Sequence, residues 1–250
     1  MKKASLGSLF FVKVLHISFF FCNFAVEMES MRTYWCSLSV EERVNTLTHL
    51  FPALATLVLA WPLMVLAYRS QTLHHQYELL GAGLFLLGMI LMFTSSTLYH
   101  ASTRARVKAR LRIFDHISIY AMIAGSYSLI CLKVVGGRLG WTLFGFLWGC
   151  VIAGVVGKIV ALGRHPRLSL LLYLLMGWVA LVVIVPIWRS MSHMAFAWII
   201  AEGLFYTIGS YFFHHDEEHA FYHAIWHVFI VLGAGSHTVA TWLILTEYLS

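Results

Sequence analysis

Apolar residues gather along this chain in seven long runs, roughly at 47–67, 79–100, 113–132, 139–161, 168–188, 194–213 and 220–245. Each run is close to the length of about 20 residues that an α-helix needs to cross the hydrocarbon core of a bilayer. The polar gaps between them are short, so consecutive helices should be antiparallel neighbours in one bundle. The pattern predicts an all-α fold: a polytopic seven-helix membrane domain over 47–245, preceded by an N-terminal extension over 1–46. Pro52, Pro62 and Pro186 fall inside predicted spans, where neighbouring helices can re-satisfy the carbonyls that proline frees. Gly145, Gly149 and Gly203 are expected to let helices approach closely.

Composition agrees with this pattern and excludes the alternatives. Of 250 residues, 60% are apolar, 15% aromatic and 11% charged, against roughly 25% charged in a soluble domain. Neither a soluble enzyme nor a disordered chain fits those proportions. The net charge of +6 does not indicate nucleic-acid binding, because the basic residues lie in the gaps between apolar runs and no nucleic-acid module is present. Cys22, Cys36, Cys131 and Cys150 are scattered; no C-x-x-C pair suggests a thiolate metal site or a disulfide framework.

The gaps also set an expected orientation. With the N-terminus in the cytoplasm, 13 of the 17 Lys and Arg residues fall inside, and Arg69, Lys133, Arg138 and Arg189 fall outside. The run Arg104–Arg112 dominates that count, which follows the positive-inside rule, and it should attract anionic lipid head groups. Seven spans then leave the C-terminus outside. The acidic gap His214–His219 dissents, but acidic residues contribute little to orientation. Ahead of the spans, Leu6–Val26 is apolar and interrupted by Lys13 and His16. It is read as a membrane-surface helix, or as sequence preceding an initiator at Met28 or Met31.

The candidate chemistry lies at one depth. Ser96 and His100 stand four apart near the end of the second run, Asp115 at the start of the third, and His223 and His227 four apart near the start of the seventh. Residues four apart share a helix face, and in the expected topology all five come together near the cytoplasmic boundary. Three imidazoles with a vacant fourth position match the geometry of a catalytic zinc site. Asp115 is the acidic residue expected beside them, either as a base handling water or as a helix cap. Ser96 is placed to hydrogen-bond the water or a substrate carbonyl. His219 stands four residues before His223, on the same helix face as His223 and His227, but it falls within the acidic gap and is expected to be solvated, as are His214 and His215. His116 is read as structural, and His237 as too remote to join the site. Glu202 is an unexplained acid within the sixth run; such residues at membrane depth are functional by default.

The motifs S-x-x-x-H (Ser96, His100), D-H-x-x-I-Y (from Asp115) and H-x-x-x-H (His223, His227) occur in order on a seven-span chain. In this the sequence, over about 40–245, resembles the hemolysin III family, part of the superfamily of progestin and adiponectin receptors and alkaline ceramidases. The resemblance implies that His100, His223 and His227 bind Zn2+ near the cytoplasmic face, with Asp115 and Ser96 supporting the water. It implies hydrolysis of lipid amides for some relatives, no settled substrate for the bacterial branch, and a bacterial plasma-membrane location.

Three functions compete at this point. One is a zinc-dependent intramembrane hydrolase of a lipid amide or ester, with membrane lipids as substrate or ligand. The second is a pore-forming cytolysin, although no span carries the repeated polar face of a channel. The third is a receptor-like regulator with structural zinc.

Overall fold

The computed structural model describes residues 32–70, 75–160 and 166–247. The expectations for Leu6–Val26 and for the initiator lie outside the described residues. Among the described residues, seven helices are long and apolar enough to cross a membrane. The first span is Val40–Arg69 and the second His75–Ala101. The third runs Ala105–Leu129 and continues as a π-helical segment, Ile130–Val135. The fourth is Gly137–Val160. The fifth joins Pro166–Gly177, a 3-10 stretch Trp178–Val183 and Ile184–Ser190. The sixth is His193–His214 and the seventh Tyr222–Glu247. No strand occurs among the described residues.

Two helix starts differ from the expected ones, and polar residues explain both. The first span begins at Val40 rather than near 47, because Ser39 caps it by accepting the Glu42 backbone N–H at 3.1 Å. The sequence S-V-E-E is the spacing of a capping box. The third span begins at Ala105, so most of the basic run Arg104–Arg112 forms helical turns rather than a loop. Hydropathy alone marks only the part of a helix that matches the hydrocarbon.

The fifth span breaks where Pro186 requires it. Proline lacks the N–H that would bond four residues back and clashes with that carbonyl, here on Val182, within the 3-10 stretch. The Tyr127 hydroxyl braces the break from the third span: it donates to the Gly177 carbonyl and accepts the Ala180 N–H at 2.9 Å.

The glycines that allow close packing are not those expected. Gly145, Gly149 and Gly203 face open space, since their helix faces turn outward. Spans two and three approach closely, and a Cβ on Gly125 would meet the Leu84 carbonyl oxygen at 2.6 Å. On the other helix, a Cβ on Gly88 would lie 2.9 Å from the Ala121 carbonyl oxygen. The second and third spans pack together most extensively, as do the sixth and seventh, and the first span lies between the second and the seventh. The fifth touches the sixth only sparingly.

Outward faces are apolar. Phe51, Leu54, Val58 and Trp61 stand exposed on the first span at helical spacing, as a lipid-facing stripe requires. Inside, Phe85, Phe93, Met122, Trp226 and Ile230 pack near the middle of the bundle. Leu63, Leu129, Ile187 and Ile244 fill it towards the end opposite His100.

Candidate metal centre

Antiparallel connection brings the start of the first span, the end of the second, and the starts of the third and seventh to one end of the bundle. There His100, His223 and His227 meet: each offers a ligand nitrogen, and these atoms all lie within 4.8 Å of one another. Ring centroids are 5.0 Å apart for His100–His223, 5.0 Å for His100–His227 and 4.6 Å for His223–His227. It is the one group of this kind among the described residues.

One nitrogen of each ring is already committed. His100 Nδ1 pairs with Glu42 Oε2 at 2.7 Å, His223 Nδ1 with Asp216 Oδ2 at 2.7 Å, and His227 Nδ1 with Thr48 Oγ1 at 2.9 Å. Metal-binding histidines characteristically hand their other ring N–H to a carboxylate or an oxygen, which fixes the tautomer and aims the remaining lone pair. The Nε2 atoms of His100 and His223 are buried and have no partner among the described residues. Orphaned buried nitrogens are costly, and a cation bound between them would remove that cost. The donor set therefore fits a metal ion, and three nitrogen ligands with room for a fourth fit zinc.

Asp115 and Ser96 lie where the sequence places them, with one correction. Asp115 is buried within the third span, not at its start, so the helix-cap reading fails; the residue before that helix is Arg104. Asp115 lies beside His223 and Ser96 and lines the same cavity as the triad, but it is not one of the grouped ligands. The Ser96 hydroxyl is buried and lies within hydrogen-bonding reach of the Asp115 carboxylate.

Residues beyond the five complete the site. Glu42 bridges His100 and Lys108, since its other oxygen accepts from Lys108 Nζ. In a capping box its carboxylate would return to the cap; here it turns to His100. Asp216 comes from the acidic turn expected to be solvated. That turn is tied to the first span by Glu41, which accepts the Phe221 backbone N–H at 3.1 Å. His49 stacks on His227, with centroids 3.7 Å apart and planes inclined by 18°, and both its ring nitrogens are buried without a partner among the described residues. A histidine inside an apolar run was the available signal for His49; for Glu42 it was the cap spacing. Asp216 had no such signal.

The remaining histidines divide cleanly. His219 is exposed and lies before the seventh helix begins, so it shares no helix face with His223. His116 holds Lys158 Nζ at 3.2 Å, and its carbonyl accepts the Tyr173 hydroxyl at 2.8 Å, a structural role as expected. His237 stands away from the triad and bonds Glu202.

From the triad a cavity of about 820 Å³ runs into the bundle. Its walls are mostly apolar and include Tyr173, Trp178 and Leu181 of the fifth span and Ile200 and Leu204 of the sixth. Volume and character match those of sites that enclose small apolar ligands.

Comparison with known proteins identifies the family. A family model described as haemolysin-III related matches residues 38–238. A hemolysin-3 homolog of Bacillus subtilis is 32% identical over 196 residues, covering 78% of this chain and 90% of its own. Hemolysin-3 of Bacillus cereus is 33% identical over 195 residues, covering 78% and 87%. The human monocyte to macrophage differentiation factor is 27% identical over 218 residues, covering 81% and 83%. No solved structure gives a significant match. With seven apolar helices and these relatives, the chain is an integral membrane protein that belongs to the haemolysin-III family.

Proposed function

We propose that the protein is a zinc-dependent hydrolase that cleaves a lipid amide or ester within the membrane, at a site near the cytoplasmic face. The observation that carries this reading is the junction of three pre-aimed imidazoles with an apolar cavity that also holds Asp115 and Ser96. His100, His223 and His227 would hold the zinc. When bound, zinc supplies Lewis-acid activation of water and of a carbonyl.

The chain's own residues supply the rest. The Asp115 carboxylate accepts the proton of the attacking water, and the same group can return it to the departing amine or alcohol. The Ser96 hydroxyl, beside the Asp115 carboxylate, donates a hydrogen bond to the substrate carbonyl. The apolar walls take up an acyl chain and keep bulk water away. The sparse contact between spans five and six gives such a chain a sideways route from the bilayer. The charge distribution of the sequence supports the cytoplasmic placement.

A second reading takes the names of the Bacillus relatives at face value and makes the protein a cytolytic pore. The packed apolar core over Leu63, Leu129, Ile187 and Ile244 at the end opposite His100 favours the enzyme over a water-filled pore. The test combines metal analysis with turnover of a ceramide and phospholipid panel by purified protein, with and without chelator. Hydrolysis that needs metal and vanishes in His227→Ala is expected; dye release from liposomes without hydrolysis would favour the pore.

A further inference from the structure

The cavity has a second polar end that the metal chemistry does not use. His237 lies ten residues beyond His227 on the seventh span, which at 1.5 Å per residue is about 15 Å from the triad. Its Nδ1 bonds Glu202 Oε2 on the sixth span at 2.7 Å, and both side chains are buried. Glu202, His237 and Tyr206 all line the cavity. The Nε2 of His237 and the hydroxyl of Tyr206 are buried and have no partner among the described residues. The Phe85 ring lies 4.5 Å from the His237 ring, so the surroundings offer little to pair with.

A bond that merely joined two helices would need only Nδ1 and Oε2. It would not leave an imidazole nitrogen and a phenol orphaned beside an apolar cavity at mid-membrane depth, where unmet polar groups are most costly. With Nδ1–H donated to Glu202, Nε2 carries a lone pair and accepts, while the Tyr206 O–H donates. An acceptor and a donor that line one cavity, each near Glu202, suit an aliphatic hydroxyl, which gives one hydrogen bond and takes another.

We propose that Glu202, His237 and Tyr206 form a subsite for a hydroxyl group carried partway along an acyl chain whose polar head lies at the histidine triad. Glu202 acts through His237 by fixing its tautomer, and the other two touch the ligand. This deepens the hydrolase reading and rests on its placement of a lipid chain in the cavity. A site built to bond a hydroxyl rejects the analogue that lacks it, because its own polar groups are then left unpaired.

Octadecanoic acid and its isomers hydroxylated at successive carbons test the subsite, with binding to purified protein followed through the fluorescence of the cavity residues Trp178 and Trp226. Wild-type protein should bind isomers hydroxylated near mid-chain about tenfold more tightly than the plain acid, as one well-placed hydrogen bond predicts. Tyr206→Phe should reduce that ratio, and the double variant Glu202→Leu/His237→Leu should bring it to unity. Metal content should be unchanged in both. Equal affinities in wild-type protein, or a preference that survives in Tyr206→Phe and in the double variant, would overturn the subsite while leaving the lipid reading intact. Failure to bind either acid would overturn both. If the double variant does not fold, Tyr206→Phe decides alone, since it removes a single oxygen.

Discussion

Glu42 and Asp216 each hold one imidazole by its Nδ1, and neither touches the position a metal would take. Removing such a partner frees the ring to rotate and lowers its basicity, typically at a cost of about 10–100-fold in metal affinity. Glu42→Ala and Asp216→Ala should each weaken zinc binding by that order in a competition titration against a chelator, while His219→Ala leaves it unchanged. Asp115 predicts a different outcome. Asp115→Asn keeps the shape but removes the base, so turnover should fall by about 10²–10⁴ with metal content and thermal stability retained. Loss of metal would make Asp115 a ligand, and full activity would remove it from the mechanism. The ligands were legible in the sequence because helical spacing and a shared depth both constrain them. Their orienting carboxylates were not, since Glu42 reaches His100 across 58 positions of sequence and Asp216 sits in a turn whose composition suggests only solvent.

Among the elements, all seven spans could be read from the apolar runs because a bilayer imposes a length that sequence displays directly. Their true starts could not, since the first and third helices continue into polar residues that hydropathy scores as gaps. Close packing was illegible for a related reason. Glycine appears on both inward and outward faces, and only the neighbouring backbone, as at Gly125 and Leu84, shows which ones matter. The helical basic run holds its charges at one bundle end, the end that the positive-inside rule would put in the cytoplasm. A reporter fused at Ser102 should therefore report the cytoplasm, and one fused after Glu247 the opposite side. The same compartment for both would contradict seven spans.

At the scale of the whole molecule, the two ends of the bundle are built differently. The end opposite the triad is a packed apolar core, with Glu78 and Lys133 paired at 2.7 Å. The triad end is held together by polar side chains that meet around a cluster of imidazoles. The triad draws its members from the second and seventh spans, and its support from the first span and the acidic turn. Two of the three histidines thus lie on the seventh span. Until that span packs against the second, His100 and Glu42 lack their companions and the cluster does not exist. A chain truncated after His214 should accordingly retain no zinc on purification. Metal capture would then report that the seventh span has docked.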